Sequence, residues 1–347
     1  MKLGSRTGQN LLATTLLAAC GAGFAATDIE LRSRALERAR EAVVGLQVQA
    51  VEGARSARTL GSERRGSGVL IGEDGVVLTI GYLVLEAESV ELVTEAGRRV
   101  PARVLAYDQA SGFGLVQALT PLGVQPAPFA RSAPVSPAGA ADAGTLAATA
   151  TVVSGGDDGE VQPVQLVSRR AFSGYWEYHI EGALYTVPQA RSHSGAALFD
   201  AQGELLGVGS LVVPDALGPG RPRTLGNMFV PVDLLKPILA ELRLRGRSQA
   251  SARPWLGLNC VEREGELRVL RVTDDSPADV AGLQPGDRIR RLDGKPVTAL
   301  AELWRALWAD MRAERAVELE IERDGRPMAI TVQAVDREKT LRRAQGI

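Results

Sequence analysis

Ser194 carries a hydroxyl that can act as a nucleophile only with help from neighbouring groups. It lies in Arg191-Ser192-His193-Ser194-Gly195-Ala196-Ala197-Leu198, a polar turn that runs into an apolar stretch. A serine hydroxyl attacks a carbonyl only when a neighbouring base takes its proton and a third group holds that base in place. The chain has 2 histidines to offer. His193 is adjacent to Ser194, and consecutive side chains of an extended loop point in different directions. His179 falls in the strand-like run Trp176 to Glu181 and reads as a half-buried strand residue. Neither spacing brings an imidazole to the hydroxyl, so the sequence offers Ser194 no activating base. Cys260 sits in the alternating run Leu256 to Val261 with no metal-ligand spacing around it and reads as a small buried strand residue. No metal, disulfide or cofactor is expected.

Two sets of short apolar alternations, broken by glycine turns, must position Ser194. The first runs from Val43 to about Pro121 through Val69-Leu70-Ile71, Val76-Val77-Leu78, Val90 to Val93, Val100 to Val104 and Leu115-Val116. The second follows the Pro- and Ala-rich connection Gly123 to Gly144. It comprises Leu146 to Val153, Gln162 to Val167, Tyr175 to Ile180, Gly195 to Phe199, Leu205 to Val213 and Asn227 to Val232. Each set reads as an all-β barrel. A helix is expected over Asp233 to Leu242 with Asp233 as its N-cap. The polar stretch Arg243 to Arg253 reads as a linker whose charges, like Arg64-Arg65, are solvated.

Specific motifs in this pattern resemble the HtrA (Deg) family of trypsin-like serine proteases. Gly66-Ser67-Gly68-Val69-Leu70-Ile71 and Asp74-Gly75-Val76-Val77-Leu78-Thr79 are similar to the strands leading into that family's catalytic histidine. The family's T-N-x-H-V-V is here Thr79-Ile80-Gly81-Tyr82-Leu83-Val84, and its D-x-x-T/S-D-L-A-V is Asp108-Gln109-Ala110-Ser111-Gly112-Phe113-Gly114-Leu115-Val116. The resemblance therefore puts Tyr82 at the histidine position and Gly112 at the aspartate position. Ser194 is left as a relic nucleophile, and Ser192 replaces the glycine whose N–H faces the oxyanion. A phenol with an ordinary pKa of about 10 cannot act as the base near neutrality. Glycine offers no acid at all, and the Cβ of Ser192 disfavours conformations that glycine tolerates.

Beyond the linker, Trp255-Leu256-Gly257-Leu258 resembles the carboxylate-binding loop of the PDZ domains attached to these proteases. The similarity continues through Asp275-Ser276-Pro277-Ala278, Gln284-Pro285-Gly286-Asp287 and Leu292-Asp293-Gly294-Lys295-Pro296-Val297. It implies a groove in which an extended peptide adds a strand while loop N–H groups hold its terminal carboxylate. Trp255, Leu256, Gly257 and Leu258 are the candidate loop contacts. Leu300, Leu303 and Leu307 are the candidates from a helix over Leu300 to Met311, with Leu303 and Leu307 equally suited to the core. Trp304 and Trp308, four apart, read as packing against the barrel or linker.

The fold class expected is mainly β: a chymotrypsin-like double β-barrel followed by a PDZ domain, an α+β unit with a partly open barrel. The expected organisation is a signal over 1–26, an amphipathic helix over 27–42, the double barrel over 43–243, a linker over 244–253, the PDZ domain over 254–336 and a basic tail over 337–347. Lys2 and Arg6 precede the short apolar run Leu11 to Ala19, a pattern of export. Leu17-Ala18-Ala19-Cys20 resembles a lipobox that would lipidate Cys20, with cleavage near Gly23-Phe24-Ala25 as the alternative. The formal charge of −1 gives no ground for nucleic-acid binding, and the membrane is reached only through the lipid anchor. The expected protein is an outer-membrane lipid-anchored pseudoprotease of the bacterial periplasm. Its partners would be polypeptide C-termini, unfolded envelope proteins or an active HtrA-type relative. The alternatives are a serine endopeptidase using Ser194 with a non-standard base, or a structural envelope lipoprotein.

Overall fold

The computed structural model describes residues 30, 33–131 and 148–344. The export and lipobox readings, Cys20 among them, and part of the Gly123 to Gly144 connection lie outside the described residues. Residues 33–41 are helical and lead into the first strand, with Ala39 and Ala42 buried against the barrel core.

The first apolar set closes into a six-stranded barrel in the order β1-β2-β3-β6-β5-β4. Its strands are β1 (Val43–Ala50), β2 (Glu63–Leu70), β3 (Val76–Ile80), β4 (Ala87–Val93), β5 (Arg99–Tyr107) and β6 (Phe113–Ala118). Strand β3 is buried along its whole length because its two faces meet the barrel core and the second barrel. The second set comprises β7 (Ala148–Val153), β8 (Val161–Ser173), β9 (His179–Val187), β10 (Ala197–Phe199), β11 (Leu205–Val213) and β12 (Gly226–Pro231). It closes in the order β10-β11-β12-β9-β8-β7, all pairs antiparallel. Closure leaves no free strand edge in either barrel.

The third unit is a curled sheet of β13 (Pro254–Trp255), β14 (Leu258–Arg263), β15 (Glu266–Val272), β16 (Arg288–Leu292), β17 (Lys295–Pro296), β18 (Arg315–Arg323) and β19 (Arg326–Asp336). Helices Pro277–Val280 and Leu300–Leu307 cover it, and Leu303, Trp304 and Leu307 are buried in its core. The architecture is the one expected, mainly β with two closed barrels and a following α+β unit.

Local expectations differ at several points, and the helix expected over Leu300 to Met311 ends at Leu307. Strand β9 continues to Val187, beyond the reading that ended at Ile180, because Ala183, Leu184 and Tyr185 find both faces covered and so lose the visible alternation. The helix expected from Asp233 begins instead at Leu239, after a 3₁₀ turn over Val232–Leu234. Not all of the arginines read as solvated are so. Arg64 is 5% exposed and donates to the carbonyls of Gly61, Tyr82 and Leu85 at 3.1, 3.0 and 2.5 Å, and Arg253 is equally buried, stacked over the Trp308 ring. For Arg64 the carbonyls take up the donors that burial strips of water, whereas Arg253 has the Gln109 carbonyl at 3.2 Å and the Trp308 ring beside an Nε without a partner.

The linker is held rather than loose. Asp108, fully buried, accepts on Oδ1 from the Ser248 N–H at 2.9 Å and the Ser251 hydroxyl at 2.5 Å. On Oδ2 it accepts from the Ser111 N–H at 3.0 Å and the Ser111 hydroxyl at 2.6 Å. One carboxylate thus ties the β5–β6 turn to the segment that carries the third unit.

Candidate functional site

Ser194 stands at the seam of the two barrels. Its carbonyl accepts from the Ser67 N–H of β2 at 2.9 Å, which fixes the turn before β10 against the first barrel. Tyr82 comes from the short helix Gly81–Val84 that follows β3. Its hydroxyl lies 2.9 Å from the Ser194 Oγ and 3.0 Å from the Ser210 carbonyl. The phenol has one proton and the carbonyl can only accept, so the three groups form a closed neutral network. Burial pushes the Tyr82 phenol up to about 12, with the Ser194 hydrogen bond pulling weakly the other way. A group that stays protonated across the neutral range cannot take the serine proton.

Neither histidine replaces it. His193 turns Nδ1 to the Arg191 carbonyl at 3.1 Å, and burial holds its ring below the ordinary imidazole value. His179, at the start of β9, faces the Ser173 hydroxyl at 2.8 Å and Glu181 at 3.1 Å. Among the described residues the non-glycine positions with positive φ do not include Ser192, so this residue keeps an ordinary backbone beside Ser194. The cleft in front of Ser194 has a volume of about 230 Å³ and is lined by Arg65, Asp157, Arg191, Ser192 and His193 among others.

Gly112 lies below Tyr82, its carbonyl accepting from the Gly81 N–H at 2.7 Å. It is left-handed, at φ 84°, and a Cβ there would fall 2.6 Å from the Tyr178 hydroxyl oxygen. Tyr178 enters from the β8–β9 connection, donates to the Ser111 carbonyl at 2.7 Å and stacks on Trp176. The space that a side chain at position 112 needs is filled by an aromatic ring from the other barrel.

The residue before Tyr178 reaches the third unit. Glu177 is 3% exposed, and its Oε1 accepts from the N–H groups of Leu256, Gly257 and Leu258 at 3.1, 2.7 and 2.9 Å, while Oε2 shares the Leu256 N–H at 3.1 Å. Gly257 allows this convergence: at φ 89° a Cβ would lie 2.2 Å from that of Ser276. The structure therefore brings Leu256, Gly257 and Leu258 together as one anion cradle. Trp255 lies beside them in β13, buried, and Leu300 is half-buried at the start of its helix. Leu303 and Leu307 point into the domain core. The indole N–H of Trp304 donates to the Gly174 carbonyl at 3.0 Å, and that of Trp308 to the Pro254 carbonyl at 3.1 Å. Sequence reading missed Glu177 and Tyr178. The available signal was a carboxylate inside the aromatic run Tyr175-Trp176-Glu177-Tyr178, since a charge buried with such neighbours requires donors from elsewhere.

Burial lifts the Glu177 carboxyl to about 6, against the opposing pull of the three N–H donors and of Arg337. Arg253 and the Cys260 thiol also feel its charge. A carboxyl whose pKa is raised by burial binds its proton more tightly in the fold than free, so the buried position of Glu177 is most stable below about pH 4.5 and loses stability as pH rises through about 6, even though the N–H bonds by themselves favour the ionised form. Amide exchange at Leu256, Gly257 and Leu258, corrected for intrinsic rates, is expected to show less protection at pH 7 than at pH 5. Glu177→Gln should flatten that dependence; an unchanged slope would assign it to another group.

Residues 66–208 match the trypsin-like peptidase domain and residues 254–334 the PDZ domain. A probable serine protease do-like of Buchnera aphidicola is 28% identical over 77% of this chain and 56% of its own length. The periplasmic pH-dependent serine endoprotease DegQ of Escherichia coli is 27% identical over 78% of this chain and 59% of its own. The chain thus spans a little over half the length of these curated relatives. The crystal structure of the serine endoprotease from Yersinia pestis has the same fold, with a TM-score of 0.52 at 21% identity over 88% of this chain and 97% of that one.

Proposed function

We propose that this chain, which belongs to the HtrA/Deg family with a trypsin-like peptidase unit followed by a PDZ domain, works as a pseudoprotease that binds polypeptides and does not cleave them. The observation that carries this reading is the phenol of Tyr82 against the Ser194 hydroxyl at 2.9 Å, where a base would have to stand. In enzymes of this mechanism, loss of the base alone costs about 10⁶ in turnover. The absence of an acid at Gly112 and the serine at position 192 remove the remaining support for attack and for oxyanion binding. Binding falls to the groove beside β14, with the cradle of Leu256, Gly257 and Leu258 for a terminal carboxylate and Trp255, Leu300 and their neighbours around it.

The work proposed is that of an adaptor, a regulator of an active relative or a holdase, acting on polypeptide C-termini or unfolded envelope proteins. The naming of DegQ as periplasmic supports a periplasmic location, and a lipid anchor at Cys20 completes the proposal.

The test is cleavage of an unfolded protein such as casein by the wild type and by Ser194→Ala. Both are expected to leave it intact over hours. Turnover by the wild type that Ser194→Ala abolishes would overturn the reading and require a base other than Tyr82, His179 or His193.

A further inference from the structure

The groove in which the proposed function places its ligand is not open. Tyr175-Trp176-Glu177 lies along β14 as an added strand: Trp176 pairs antiparallel with Asn259, and the Cys260 N–H donates to the Tyr175 carbonyl at 2.6 Å. On the other side, the Trp304 indole holds the Gly174 carbonyl from the helix Leu300–Leu307, and Arg305 of the same helix pairs with Glu181 at 2.5 Å. The segment runs toward the cradle, where Glu177 places a carboxylate on the three loop N–H groups. Strand addition, polarity and terminal anion all reproduce what a C-terminal peptide does in such a groove, with a side-chain carboxylate standing where the main-chain one would be.

We infer that Gly174–Glu177 is a built-in ligand of the PDZ groove, and that a polypeptide with a free C-terminal carboxylate binds only by displacing it. The inference rests on the proposed peptide-binding reading and adds to it a competitor carried on the same chain. Tethering gives that competitor an effective concentration of the order of millimolar, so it outcompetes free peptides of modest affinity. The observed affinity of a partner is its intrinsic affinity reduced by the fraction of molecules with the groove empty.

Displacement also has a defined consequence in the barrels. Tyr178 follows Glu177 directly and fills the space above Gly112, with its hydroxyl on the Ser111 carbonyl. A peptide that lifts Glu177 out of the cradle pulls on the ring that plugs the old acid position.

The experiment is titration of the double-barrel-plus-PDZ chain with a hydrophobic peptide bearing a free C-terminus, and with its amidated form, for wild type, Glu177→Gln and Glu177→Ala. Amide exchange at residues 256–258 is measured in parallel as a readout of the cradle itself. Glu177→Ala is expected to bind the free-acid peptide at least tenfold more tightly than wild type, with Glu177→Gln between them and the amidated peptide weak throughout. Equal affinity in all three proteins would overturn the built-in ligand and leave the groove a peptide site. No binding to any of them, with the 256–258 amides opened in Glu177→Ala, would overturn both the inference and the peptide-binding half of the proposed function. Amides still protected in Glu177→Ala would show that another group holds the cradle, which also overturns the inference. Glu177→Gln guards against misfolding of the alanine variant, because it keeps the side-chain volume and an acceptor oxygen.

Discussion

Gly112→Asp is expected to destabilise the protein severely and to restore no activity, alone or with Tyr82→His. Position 112 is left-handed, and a side chain there meets the Tyr178 hydroxyl within 2.6 Å at its first atom. A non-glycine residue in that conformation costs about 1–2 kcal/mol, and overpacking of a filled site about 1–3 kcal/mol more. The sum is about 3 kcal/mol, readable as a fall in the denaturant midpoint at unchanged slope. Tyr178→Ala should be destabilising by itself, since the ring is buried and stacked on Trp176. Combined with Gly112→Asp it should cost less than the sum, because it removes the overlap. Strict additivity of the two would show that the ring does not occupy the acid's space. The double Tyr82→His and Gly112→Asp protein should leave casein uncleaved, because the aspartate cannot reach the geometry that orients an imidazole. A chain derived from a working triad would therefore have closed that path twice, by losing the residues and by filling the space.

The second large effect is expected at Asp108. Each carboxylate oxygen takes two donors, the Ser248 N–H and Ser251 hydroxyl on one and the Ser111 N–H and hydroxyl on the other. Asp108→Asn replaces one acceptor oxygen with an NH₂ that faces two donors and can accept from neither. The isosteric change should thus cost nearly as much as Asp108→Ala, about 3 kcal/mol by the usual penalty for buried groups left unpaired. The Ser111, Ser248 and Ser251 hydrogen bonds hold this carboxyl below the usual carboxylate range despite its burial. A depressed pKa contributes stability above the unfolded value of about 3.9 that is lost as pH falls through the folded one. Wild type should therefore lose stability below about pH 4 more steeply than Asp108→Asn. A midpoint for Asp108→Asn within error of wild type would show that the linker is held by other contacts.

Much of the barrel architecture was legible because half-buried antiparallel strands alternate and their turns carry glycine. Val90 to Val93 and Val100 to Val104 are read from composition and spacing with no knowledge of their partners. The exception is instructive: Ala183 to Tyr185, covered on both faces, shows no alternation and was cut short. Buried arginines were illegible for a related reason, since Arg64 and Arg253 are accepted by carbonyls and rings that only the folded chain brings together.

The candidate site divides along the same line. On the resemblance in motif order, Tyr82, Gly112, Ser192 and Ser194 are proposed to correspond to catalytic positions, and the chemistry of phenol and glycine follows from residue type alone. The sequence by itself determined what those positions lack. Only the tertiary structure decided what replaces it: the hydroxyl of Tyr82 on Ser194, the ring of Tyr178 over Gly112 and the carboxylate of Glu177 on the loop N–H groups. The physical reason is that missing functional groups are local properties of residues. The filling of a space, or the satisfaction of a backbone donor, depends on segments 67 to 112 residues apart that meet only when the barrels and the third unit pack.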